Sequence, residues 1–166
     1  MDTSKILLIA VVLTACSVIF QVIGLASPYW IHADVPPNKL YSGLWKACLE
    51  EEGRDSICKD LTNTTDWLEA VRTLSILGLL ALLVSSIAAA LKLFIMKEQK
   101  QILLVAIAAA FAGAIFILIS IAVYAAKINE INTADIFKFH FAFAFCILAM
   151  LEGLGGGALM LIEMMK

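Results

Sequence analysis

Cys48 and Cys58 lie close together in a polar stretch, just ahead of the sequon Asn63, Thr64, Thr65. Thiols oxidise stably only outside the cytosol, and a sequon is used only on the lumenal side of a membrane. Together they predict an outward-facing loop closed by a Cys48–Cys58 disulfide and carrying a glycan on Asn63. Glu152 is the other residue whose chemistry stands out, because it interrupts a long apolar run. An ionised carboxylate deep in a bilayer costs several kcal/mol, so Glu152 must be neutral, paired or wet. Nothing basic lies at its depth, and a neutral Glu152 bonded to a hydroxyl of another helix, such as Ser17, Ser85 or Ser86, is the expectation. Catalysis is not expected. His32 and His140 read as isolated from each other, and Cys16 and Cys146 read as packing groups inside apolar runs. No metal-ligand spacing, nucleophile with a base, or basic groove for nucleic acid is visible. The chain is therefore read as a non-enzyme without cofactor, metal, small-molecule substrate or nucleic-acid partner.

The elements that must carry these residues follow from composition. Of 166 residues 62% are apolar and only 16% charged, and the mean hydropathy is +0.95. A helix crosses about 30 Å of hydrocarbon with about 20 apolar residues. Four runs qualify, at about 6–27, 67–91, 102–126 and 139–162, within a single domain over 1–166. The first could be a signal peptide, but its apolar core exceeds the usual span of about 7 to 15 residues, so it is read as retained. The fourth is the least apolar, because it holds His140 and Glu152.

Four spans put both termini on one side. Lys and Arg are denser in the tails and in the loop at about 92–101 than in the loops at about 28–66 and 127–138, which favours the former as cytoplasmic. Their total number does not, and the cysteine pair with the sequon breaks the tie. Both termini are placed in the cytoplasm of a multi-pass plasma-membrane protein, at cell–cell contacts if its loops adhere.

The first outer loop mixes aromatic and branched residues at Tyr29, Trp30, Ile31, at Leu40, Tyr41 and at Leu44, Trp45, with Pro36, Pro37, Asn38 and Gly53 as breaks. That pattern predicts a small antiparallel sheet. Thr65 or Asp66 should cap the second spanning helix, with Glu69 in its first turn. Closing the cysteine ring would remove about 3 kcal/mol of unfolded-state freedom, and Trp30 and Trp45 would pack on the helix tops. Glu50, Glu51 and Glu52 fall within the ring and give the loop a mildly acidic balance. In the second outer loop Ile136 and Phe137 are either contact residues or packing against the sheet. Small residues recur every four positions at Ala149, Gly153 and Gly157, and again at Ala108 with Ala112 and Ala109 with Gly113, which allows close helix approach.

Trp30, then Gly43, Leu44, Trp45, then Cys48 and Cys58 between the first two spans, with Arg72 opening the second, resembles the claudin superfamily. That group includes the peripheral myelin and epithelial membrane proteins and the channel-associated gamma subunits. The resemblance covers almost the whole chain. It implies a mainly α membrane fold, a left-handed bundle of four transmembrane helices topped by a small extracellular antiparallel β-sheet. It also implies non-enzymatic work in cell–cell contact, barrier formation or membrane organisation, with lipid and further copies of the chain, in cis or in trans, as partners. The alternative is an auxiliary subunit that modulates an ion channel, suggested by the similarity of the region around Glu152 to the gamma subunits. The chain ends Glu163, Met164, Met165, Lys166, without the hydrophobic carboxy-terminal motif by which claudins engage scaffold domains, so anchoring by that route is not expected.

Overall fold

The computed structural model describes residues 3–51, 55–62, 64–96, 98–132 and 136–166. The elements are α1 (Thr3–Ala26), β1 (Ile31–Val35), β2 (Asn38–Ser42), β3 (Lys46–Glu51), β4 (Ile57–Asp60), α2 (Asp66–Phe94), α3 (Lys100–Ile131), β5 (Phe137–Phe139) and α4 (Phe141–Met164). All four helices are long and apolar enough to cross a membrane. At 1.5 Å per residue α2 and α3 extend about 44 and about 48 Å, more than the roughly 30 Å of hydrocarbon requires.

The helices form a closed ring in which α1 packs on α2 and α4, and α3 packs on α2 and α4. Their polarity is that of a membrane protein. Thr14, Ser17, Gln21, Ser75, Ser85 and Ser120 are fully buried, whereas Val12, Ile19, Leu80, Val84, Ile87, Leu118 and Leu151 stand open on the outside. Lipid tails are as apolar as leucine, so burying leucine between spans gains little, and close packing with interhelical hydrogen bonds must hold the ring. Both are present. Ser17 donates to the Ala149 carbonyl at 2.6 Å, Ser85 to the Ala106 carbonyl at 2.8 Å, and the Ser75 and Ser120 hydroxyls meet at 2.7 Å. Gly78 and Gly113 bring α2 and α3 together so closely that a Cβ on either would lie within 3.2 Å of the other's carbonyl oxygen.

The sheet is antiparallel, ordered β4-β3-β2-β1-β5. Its boundaries differ from those expected in four respects. Tyr29 and Trp30 precede β1, and Leu44 and Trp45 occupy the bend between β2 and β3, because both indoles are drawn down onto α1. The cysteine ring is itself a hairpin, β3–β4. Residues 137–139 form β5, which joins the sheet beside β1, so α4 starts only at Phe141. Finally, Thr65 sits at the N-cap of α2 without a side-chain cap bond, although Asp66 and Glu69 complement the positive end of the helix. The chain reaches β5 through Asn132, whose Oδ1 accepts from the Ile136 and Phe137 amides at 2.8 and 3.0 Å.

Candidate functional site

The residues expected to matter converge where the sheet meets the bundle. The last turn of α1 leaves backbone carbonyls without helical partners, and two indoles satisfy them. Trp30 Nε1 donates to the Gly24 carbonyl at 2.7 Å, and Trp45 Nε1 to the Leu25 carbonyl at 2.9 Å. Trp30 is fully buried, packed edge-on against Tyr124 of α3 at 4.7 Å between ring centres. Leu44 is fully buried in the same cluster, while Trp45 is exposed. Gly43 is demanded by contact. A Cβ there would sit 2.5 Å from the Ser27 carbonyl oxygen and 2.6 Å from Pro28 Cα.

Arg72 ties this layer to α2. Its Nε donates to the Leu44 carbonyl at 2.8 Å and its Nη2 to the Leu61 carbonyl at 3.1 Å. Its Nη1 reaches Thr64 Oγ1 at 3.4 Å, and the guanidinium lies 4.7 Å over the Trp45 ring. A planar, always-charged fork is the side chain able to make such divergent bonds while stacking on an aromatic face. The Cys48–Cys58 disulfide joins directly opposite residues of β3 and β4, closing the hairpin that ends at Leu61. Disulfide, Gly43, both tryptophans and Arg72 therefore belong to one device, a latch that fixes the sheet on the helices. Asn63 lies outside the described residues; its neighbour Thr64 bonds Glu69 at 3.1 Å.

Away from the latch, β4 is exposed along its whole length. Val35, Ile57, Ile136 and Phe139 are exposed too, each by more than two fifths. Phe137 instead turns inward and packs against the core, so of the two loop residues only Ile136 stands open.

Within the bundle, Ala149 and Gly153 are buried, and Gly157 abuts Ala110 and Phe111. These small residues are used for packing inside the monomer. Ser17 and Ser85 are committed to backbone carbonyls, and the shielded Oε2 of Glu152 has no hydrogen-bond partner among the described residues. The residue is half-buried, on a helix flank.

Two features were not anticipated. Gln21 Nε2 donates to the Ser75 carbonyl at 3.2 Å, so α1, α2 and α3 are linked through Gln21, Ser75 and Ser120; three polar residues at a similar depth of separate spans were the available signal. His32 and His140 are not isolated, since β5 brings the rings together at 5.2 Å between centres. A two-residue aromatic alternation at Phe137 and Phe139 was the only hint of that strand.

Comparison with curated proteins gives no match. A protein-family model does match, over residues 3–159, which takes in all four helices, the sheet and the latch residues. This multi-pass membrane chain belongs to the PMP-22/EMP/MP20/Claudin family.

Proposed function

We propose that the protein works without catalysis in cell–cell contact, barrier formation or membrane organisation at the plasma membrane, with both termini cytoplasmic and the sheet outside. Its partners are membrane lipid and further copies of itself, in cis or across cells. The observation that carries this reading is a sheet fixed to the bundle at its base yet open at its far margin, with β4 exposed throughout and Val35, Ile57 and Ile136 uncovered. A preorganised surface loses little freedom on association, which suits weak, repeated contacts. Expression alone in cells that lack junctions tests it. The protein should concentrate where two expressing cells touch, and Ile57→Lys should reduce that enrichment while leaving surface delivery unchanged. Uniform distribution over the surface would refute the reading.

Glu152 favours a second reading, an auxiliary subunit seated against an ion channel. A half-buried intramembrane carboxylate with an unpartnered oxygen is a natural docking group for a donor on another membrane protein. Purification from native membrane in mild detergent separates the two readings. Self-association supports the first, whereas a channel that is retained by the natural chain and lost with Glu152→Leu supports the second.

A further inference from the structure

We propose that His32 and His140 form an acid-sensitive clasp: neutral, they hold β5 and the start of α4 against β1, and when both are protonated they release that edge of the sheet. They are the only histidines in the chain, and the fold sets them edge to face in a cluster with Tyr29, Tyr41 and Phe141. Both Nδ1 atoms are shielded and lack a hydrogen-bond partner among the described residues. Among the described residues no third histidine, cysteine or carboxylate joins them in a group able to hold a metal ion.

The surroundings oppose positive charge from several directions. On β1, His32 lies directly opposite Lys138 of β5, and directly opposed residues of an antiparallel pair share a face, where like charges repel. On the other side its register partner is Tyr41 of β2. The nearest acid along β1 is Asp34, which is already opposite Lys39. His140 occupies the N-cap of α4, where the helix dipole presents its positive end. The groups around it are His32, Tyr29, Tyr41 and Phe141. The tyrosine faces can favour one cation by cation–π attraction, but they do not remove the repulsion between two imidazolium rings and Lys138. Burial, and then the charge of His32, hold His140 below the usual imidazole value of 6.5. The sign follows directly. A group whose folded form prefers to be neutral contributes stability above its unfolded pKa, and that contribution is lost as pH falls through the folded value.

β5 is the element with least to resist this. It has three residues, pairs among the described residues with β1 alone, and its continuation is held by the His140 amide on the Trp30 carbonyl at 2.8 Å and the Ala142 amide on the Tyr29 carbonyl at 3.1 Å. The β2–β3 pairing carries no histidine and should be indifferent to the same change.

Hydrogen–deuterium exchange on the whole chain in lipid nanodiscs, at about pH 7.5 and about pH 5.5 with correction for intrinsic rates, tests the clasp. Amides of residues 137–142 should lose about tenfold in protection at the lower pH while those of β2 and β3 keep theirs. The double variant His32→Gln with His140→Gln should abolish the difference. Equal protection at the two pH values, or a pH effect that survives in the double variant, overturns the proposal. Should that variant fail to fold, imidazole NMR titration of the natural chain decides instead: a His140 midpoint below 6.5 is expected, and a midpoint at or above it overturns the clasp.

Discussion

Among the four helices the buried side chains include Thr14, Gln21, Ser75 and Ser120, while Leu80, Val84 and Ile87 lie outside. In the sheet Asp34, Lys46, Lys59 and Asp60 lie outside, and Ile31, Ala33 and Cys48 are buried. One chain thus follows two opposite rules within a short distance, because its two halves meet different solvents. Where the surroundings are hydrocarbon, apolar burial drives nothing, and hydrogen bonds with glycine contacts do the joining. Where they are water, burial helps, but five short strands enclose too little of it to stand alone. The sheet therefore borrows the bundle as its floor and adds a disulfide, worth about 3 kcal/mol for a ring of this size. Arg72 and the two indoles stand at the border, giving their polar atoms to backbone carbonyls, while the Trp30 ring fills the core and the Arg72 guanidinium lies over the Trp45 ring.

That division predicts that the sheet can be detached without dissolving the bundle. Gly43→Val should have the largest effect, because the atoms it would strike are the backbone of Ser27 and Pro28, which cannot rotate away. A loss of about 3 kcal/mol or more is expected, at the upper end for overpacking. It should appear in exchange data as unprotected β1–β3 amides while the helical circular dichroism of the detergent-solubilised protein persists. If helices and sheet melted together, the two regions would be one cooperative unit and the comparison would fail.

Arg72→Lys sharpens the border. Lysine keeps the charge but cannot span the Leu44 and Leu61 carbonyls while stacking on Trp45. Losing one charge-assisted bond and the ring contact should cost about 2 kcal/mol, read as a lower midpoint for the sheet's thermal transition by tryptophan fluorescence. An unchanged midpoint would mean that the guanidinium decorates the latch and does not close it.

Much of this is legible in the residues themselves. Four apolar runs mark the bundle, and the paired cysteines with the sequon mark the outer loop, because hydropathy and oxidation state are local properties; that Arg72 and the two indoles close on backbone carbonyls is not readable from the sequence. β5 was not legible. Phe137 and Phe139 continue into the apolar residues of α4, so periodicity merges the strand with the helix, and only its pairing with β1, a contact between distant segments, tells them apart. The His32–His140 meeting depends on that same pairing and was hidden with it. The hydroxyl partner expected for Glu152 is not seen at its shielded Oε2. A serine inside a helix can spend its one proton on a backbone carbonyl of the neighbouring helix, as Ser17 does on Ala149, which leaves its oxygen able only to accept.

The smallest effect should come from inside the bundle. Ser75→Ala removes the 2.7 Å hydroxyl pair with Ser120 but leaves the rest of that network intact. Ser120 still donates to the Val71 carbonyl at 3.1 Å, and Gln21 bonds the backbone carbonyl of Ser75, which alanine retains. Interhelical hydrogen bonds in membranes are worth about 0.6 kcal/mol on average and reach about 1.7, so a shift near the lower figure is expected when unfolding is titrated with a denaturing detergent in mixed micelles. A loss as large as that for Arg72→Lys would mean that the hydroxyl pair, and not the Gly78–Gly113 approach beside it, sets the distance between α2 and α3. The bundle would then rest on a polar lock of its own, and the contrast with the latched sheet would shrink to a difference of solvent alone.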